Sequence, residues 1–217
     1  TERKNIDRKI SEQNEMLKRI NSEKDKFFSI IAHDLRSPFS LFLGLTEIMS
    51  KDIKNMSIED IQHYVDHLNR SANNLYRLLT NLLEWSKIQR GLTAFNPEIL
   101  NVTKIMRDTL EVYFEGADQK GIKINSSIPN NLVAFADKPM LETILRNLLS
   151  NAIKFTSKNG SIEVTGKTIS TKIEITIKDT GIGMSKDTLQ NIFRIDNQTS
   201  RKGTENEPST GLGLLLC

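Results

Sequence analysis

From Ile6 onward, apolar or tolerant residues recur at alternating steps of four and three: Ile6, Ile10, Gln13, Leu17, Ile20, Lys24, Phe27 and Ile31. This heptad spacing predicts a long helix with a coiled-coil or bundle seam, in which Gln13 and Lys24 are polar intrusions. The pattern passes Pro38, runs through Leu41, Leu45 and Ile48, and stops in the polar stretch from Ser50 to Ser57. Ser57 with Asp60 then resembles a capping box, although Glu or Gln is more usual at the last position. The helix it announces has the seam Ile61, Val65, Leu68, Ala72, Leu75, Leu79, Leu82 and a plausible C-terminal stop at Gly91. Two such helices joined by a short loop hold too little core to be stable alone. Pairing two hairpins into a four-helix bundle buries both seams, so a homodimer is expected.

After Asn96 the pattern changes. Helical stretches at 103–118 and 138–156 alternate with β-like segments at 122–128, 131–135, 161–168 and 172–178. The last two alternate apolar and polar residues as half-buried strands do, and a short polar turn between them predicts a hairpin. This half reads as an α+β domain with helices on one face of a mixed sheet, so the whole chain is of class α plus α+β. The boundary between the halves falls near residues 91–97. No internal repeat is visible, and the one notable loop-like polar stretch is 196–210.

Composition narrows the function without naming it. A chain of 217 residues suits one large domain or two small ones. The 30 Lys and Arg nearly balance 27 Asp and Glu, so net charge gives no argument for nucleic acid. Cys217 is the single cysteine, which excludes an internal disulfide framework or a thiolate metal cluster and favours a reducing, cytoplasmic compartment. No apolar run approaches the length of a bilayer span and no signal peptide opens the chain. Thr1 and Cys217 both read as breaks within a longer protein, which leaves room for a membrane anchor upstream.

Three constellations carry candidate chemistry. With Ile31 at an a position of the heptad, His33 falls at c, facing away from the seam and into water. Asp34 follows directly, and a carboxylate there can orient the imidazole or take up its proton. Pro38 lacks the N–H that would bond back to the Asp34 carbonyl, which predicts a kink one turn after the histidine. An exposed helical histidine is more often merely solvated, and that is the reading for His63 and His67. Further on, Asp137 is a good N-cap for a helix on which Asn147 and Asn151 share one face, with Lys154 close to it. Two amide oxygens and an ammonium suit a magnesium-bound polyphosphate. Finally, Asp179-Thr-Gly181-Ile-Gly183 follows a strand. A carboxylate at a strand end can accept a hydrogen bond from an adenine amino group, and glycines let backbone pass close to a flat ring. Gly211 and Gly213 at a helix start would offer N–H groups to phosphate, with Arg201 and Lys202 in the polar flap before them. No Walker-type loop occurs.

The string Phe27 to Pro38, with His33-Asp34-Leu35-Arg36-Ser37-Pro38 at its centre, resembles the H box of the sensor histidine kinases of two-component systems. Leu145 to Thr156 resembles their N box, Asp179 to Gly183 their G1 box, Ile192-Phe193-Arg194 their F box, and Thr210-Gly211-Leu212-Gly213-Leu214 their G2 box. The five motifs stand in the family's order and the resemblance covers about Ser22 to Cys217. It implies a signalling coiled-coil helix at 1–21, a dimerisation and histidine phosphotransfer domain at 22–92, and a Bergerat-type α/β sandwich that binds ATP at 93–217. It implies further that His33 accepts the γ-phosphoryl group, that Asp34 assists, and that Ser37 stands where the family's phosphatase activity depends on Thr or Asn. ATP would lie against Asp179, Gly181, Gly183, Phe155, Lys154, Thr210, Gly211, Leu212 and Gly213, with Mg2+ held by Asn151 and Asn147. The implied partner is a response-regulator receiver domain, with no direct nucleic acid contact. Two departures stand out. Ser209 replaces a glycine that usually opens the G2 box, and the chain stops early in the helix after it, so the ATP domain is expected to be C-terminally incomplete. Two rival readings remain open here: a nucleotide-binding scaffold without transfer, and a chaperone- or topoisomerase-like ATPase.

Overall fold

The computed structural model describes residues 2–193, 201–205, 207 and 213–217. The chain forms two compact units, one ending at Thr80 and one beginning at Asn81.

Helix α1 (Glu2–Asp52) and most of α2 (Ile58–Gln89) make the first unit, joined by a 3-10 turn at Ile53–Asn55. α1 continues through Pro38 rather than ending there. The heptad register is reflected in burial: Ile31 is buried while His33, two residues on, is exposed. The capping box before α2 forms as the sequence suggests. Asp60 N donates to Ser57 Oγ at 3.1 Å, and Ser57 N donates to Asp60 Oδ2 at 3.2 Å, so Asp does the work usually given to Glu. At the other end of α2, Gly91 takes φ +63°, Gly91 N donates to Ile88 O and Leu92 N to Lys87 O. These are the two bonds of a Schellman motif, and the left-handed conformation is what makes glycine fit there. The seam of α2 splits in two. Ser71 and Leu78 are buried and Ile61, Leu68, Leu75 and Leu82 partly so, but Val65, Ala72 and Leu79 face outward.

The second unit contains β1 (Glu98–Asn101), α3 (Val102–Gln119), β2 (Lys123–Ser127), β3 (Val133–Ala136), α4 (Lys138–Phe155), β4 (Ser161–Ile169), β5 (Lys172–Asp179) and α5 (Lys186–Asn191). β2, β4 and β5 form one mixed sheet, with β2 parallel and β5 antiparallel to the central β4. β1 and β3 form a separate antiparallel pair. Along β4 the inward residues Ile162 and Val164 are fully buried and Glu163 is exposed, the alternation that the sequence displays. Met106, Leu110, Leu145 and Leu149 of α3 and α4 pack on that inner face. The α+β reading, the helices and the β4–β5 hairpin therefore hold. β1 and α5 were not legible: both are short, and β1 buries only Leu100 while Ile99 is exposed, too brief an alternation to register. No described helix is long and apolar enough to cross a membrane.

Candidate functional site

His33, Asp34 and Ser37 lie on the first unit. The His33 side chain is 82% exposed, and its Nδ1 is 3.2 Å from Asp34 Oδ1. An ionised carboxylate only accepts, so the proton of a neutral imidazole belongs on Nδ1 and the lone pair on Nε2. That leaves the outer ring nitrogen as a nucleophile open to solvent. The other carboxylate oxygen, Asp34 Oδ2, is buried and has no hydrogen-bond partner among the described residues. Ser37, one turn on, is exposed. Pro38 removes the helical donor to the Asp34 carbonyl. Its own carbonyl accepts a 2.9 Å bond from the buried hydroxyl of Ser71 on α2, a link across the hairpin that the sequence does not disclose.

The other candidates gather around α4. Asp137 caps it as expected, accepting from Met140 N at 3.1 Å through Oδ1. Its Oδ2 also accepts from Asn96 N at 2.9 Å, tying down the chain just before β1. Asn147, Asn151, Lys154 and Phe155 are all half-buried along the helix. The Lys154 ammonium lies 5.5 Å from the centre of the Phe155 ring, a cation–π distance. Gly213 comes against Asn147: a Cβ added to it would be 3.1 Å from Asn147 Oδ1. Cys217 also reaches this helix. Burial pushes its thiol pKa up, and a hydrogen bond with the Asn147 side chain works the other way.

Asp179 ends β5, exposed, with Oδ1 accepting from Gly181 N at 2.9 Å. Gly181 itself has no room for a side chain, because a Cβ there would run into the carbonyl of Phe155. Ile182 N donates to that same carbonyl at 3.1 Å. The loop after β5 is thus stitched to the last turn of α4, bringing Asp179, Gly181 and Phe155 together. Gly183 has φ +63° and open space beside it. Thr210, Gly211 and Leu212 lie outside the described residues, as do Arg194 and Ser209. Of the flap cations, Arg201 and Lys202 are both exposed. Sequence reasoning missed Lys120, Thr204 and Glu207, which meet at the end of α4. A lysine at a helix C-terminus is a visible signal, but its partner 87 positions away is not.

Two amide side chains on one helical face, beside a lysine and a loop in which Gly181 admits no side chain, are of a kind that suits a polyphosphate with an aromatic base. Amide oxygens are hard donors of the kind that ligate Mg2+ together with phosphate oxygens.

Two family models match the chain in tandem. Residues 23–91 match the His Kinase A (phospho-acceptor) domain, and residues 136–217 match the histidine kinase-, DNA gyrase B-, and HSP90-like ATPase. Among curated relatives, the Non-motile and phage-resistance protein of Caulobacter vibrioides is 29% identical over 201 residues, which are 90% of this chain and 24% of that protein. The Cell-division control histidine kinase PdhS of Brucella anthropi is 28% identical over 227 residues, 100% of this chain and 22% of that protein. The chain thus spans under a quarter of the length of these relatives. The histidine kinase AdeS of Acinetobacter baumannii superposes with a TM-score of 0.67 at 18% identity, covering 85% of this chain and 83% of that one. Histidine kinase ThkA, solved in complex with the response regulator TrrA, gives 0.61 at 23%, covering 76% and 48%. At such identities the superpositions speak for the fold. With the phospho-acceptor and ATPase modules following one another on one chain, this protein belongs to the histidine kinases.

Proposed function

We propose that the chain is the core of an ATP-dependent protein histidine kinase that phosphorylates His33 and passes the phosphoryl group to an aspartate of a response-regulator receiver domain. The observation that carries this reading is the His33–Asp34 pair: an exposed imidazole with its Nδ1 proton engaged and Nε2 open, on the same chain as the ATPase module. Residues 1–21 serve as a signalling helix, 22–92 as the dimerisation and phosphotransfer domain, and 93–217 as the ATP-binding domain. The outward Val65 and Leu79 support a homodimer, since a second hairpin would bury them. The single cysteine fits a cytoplasmic setting, with any membrane anchor on another part of the protein.

In the transfer, Nε2 of His33 forms a bond to the γ-phosphorus of ATP as the bond from that phosphorus to the β,γ-bridging oxygen breaks. ADP leaves with the electron pair. The imidazolium keeps its proton on Nδ1, where Asp34 stabilises it and then accepts it. Asp179 would hold the adenine amino group, with Gly181 and Gly183 giving backbone access to the ring and Phe155 at its side. Asn147, Asn151 and Lys154 would face the phosphates together with Thr210, Gly211, Leu212 and Gly213. Asn151 and Asn147 would hold Mg2+, which would supply neutralisation of developing charge when bound with ATP. Positioning dominates, because phosphoryl transfer asks little covalent work of the protein. Ser37, exposed one turn beyond His33, would support hydrolysis of a phosphorylated partner by water, at the position where the family's phosphatase activity depends on Thr or Asn.

Incubation with ATP labelled at the γ-phosphate tests this directly. The chain should acquire an acid-labile, alkali-stable label, and His33→Gln should abolish it while nucleotide binding persists. Steady ATP hydrolysis without a phosphoprotein would leave an ATPase in place of a kinase. Label surviving His33→Gln would move the acceptor elsewhere.

A further inference from the structure

The polar stretch read from sequence as a flap is fastened at one place. Lys120 closes α3, and its side chain is only 5% exposed. A buried ammonium is costly unless every N–H finds an acceptor. Here all three do: Ile153 O at 3.0 Å, Lys154 O at 3.1 Å and Glu207 Oε1 at 2.7 Å. Two of those acceptors are carbonyls left over at the C-terminus of α4, where the helix dipole favours a cation. Glu207 is held in turn, its Oε2 accepting from Glu205 N at 2.8 Å and its carbonyl from Gly203 N at 2.9 Å. Thr204 completes the attachment, donating from N to Lys154 O and from Oγ1 to Thr156 O, at 3.0 and 2.9 Å.

The position of this knot gives it meaning. It closes on the carbonyls of Ile153, Lys154 and Thr156, which flank Phe155, whose own carbonyl receives Ile182 of the loop after β5. Six residues beyond Glu207 the chain returns at Gly213, against Asn147 of the same helix. Glu207 and Gly213 are thus both held against α4, one at its end and one further back along it.

We propose that Lys120 is a positioning residue for the nucleotide site, anchoring Glu207 to the end of α4 and so holding the last turn of that helix, with Lys154 and Phe155, in place. It acts through Glu207 and not on the nucleotide, because its three donors are already spent on protein acceptors. The inference rests on the kinase reading of the same site and adds a residue to it. The Glu207 carboxyl bears the mark of the anchor. Burial pushes its pKa up, but the Lys120 hydrogen bond, the backbone N–H groups of Glu205 and Glu207 and the Lys120 charge outweigh burial and hold it below its ordinary value.

The test compares wild type with Lys120→Met, Lys120→Arg and Glu207→Ala, the last being a partly exposed side chain whose loss leaves the core intact. A fluorescent ATP analogue titrated with Mg2+ reports affinity, and γ-labelled ATP reports the rate of His33 phosphorylation. Glu207→Ala and Lys120→Met should each weaken nucleotide binding about tenfold, the scale of one lost charge-assisted hydrogen bond. The phosphorylation rate at saturating ATP should change less than about twofold, and Lys120→Arg should recover part of the affinity. The double variant should be no weaker than either single one, since both break the same link. Unchanged affinity in Glu207→Ala, with or without a lower melting temperature, overturns the proposal and leaves the kinase reading standing. Failure of the wild-type chain itself to bind the analogue overturns both.

Discussion

The two units are stabilised by different means. In the hairpin, Ile31 and Leu78 are the buried hydrophobic residues among those described, and Phe39, Leu43, Val65 and Leu79 are at least about half exposed. In the second unit, Met106, Leu132, Leu149, Ile162 and Val164 are sealed in one continuous core built from α3, α4 and the sheet. An amphipathic hairpin has only one neighbour for two apolar faces, whereas a helix layer on a sheet satisfies both at once. On the proposed dimer, the difference locates each unit's stability: contacts within the chain for the second unit, a second copy for the hairpin.

Core truncation is the strongest way to press on that contrast. Leu149→Ala should cost about 2–5 kcal/mol, and its effect on melting should not depend on protein concentration. Leu79→Ala removes a side chain that is 50% exposed in the single chain. It should lower the melting temperature more in dilute than in concentrated solution, because it weakens association. Equal shifts at both concentrations would mean that the outward face of α2 has no partner, and the comparison would collapse.

A second, smaller effect separates fold from site within the second unit. Gly181→Ala forces the loop after β5 away from the Phe155 carbonyl. A displacement of that order should weaken nucleotide binding about a hundredfold. The core residues are untouched, so the melting temperature without nucleotide should fall far less than in Leu149→Ala. Isothermal titration alongside a thermal melt reads both. An intact affinity would show that the backbone there need not approach so closely.

How much of this was legible depends on how local each feature is. The helix caps at Ser57, Asp137 and Gly91 were readable because donor, acceptor and turn lie within a few residues. Period two in β4 and β5 was readable for the same reason. The seam of α2 was read as one stripe, and the structure divides it, since a heptad pattern does not say which of two neighbours a residue faces. The glycines and amides proposed for the nucleotide site were visible by type, and the structure brings Gly181 against Phe155 and Gly213 against Asn147. Lys120 with Glu207, Ser71 with the Pro38 carbonyl and Asn96 with Asp137 were not, because each joins distant parts of the chain through ordinary residues. β1 was lost for want of length.

The smallest predicted effect lies in that same hidden pair, and its sign follows from linkage. Glu207 has a depressed pKa in the folded protein, so its contribution is fully present above the unfolded carboxylate pKa and is lost as pH falls through the lower, folded value. The groups close to it are the Lys120 ammonium, buried and paired, and the Glu205 backbone N–H. Glu205 carries its own charge but is paired outward with Lys158 at 2.8 Å. Melting curves of wild type and Glu207→Gln should therefore differ near neutrality and converge as pH drops through the carboxylate range. The convergence should come from a loss in wild type, not a gain in the variant. The partial exposure of Glu207 keeps the difference small. Leu149→Ala, measured over the same range, should keep a nearly constant gap, because no charge is involved in what it removes. A Glu207→Gln gap that persists in acid would mean that the shape of the side chain, and not its charge, holds the segment to α4.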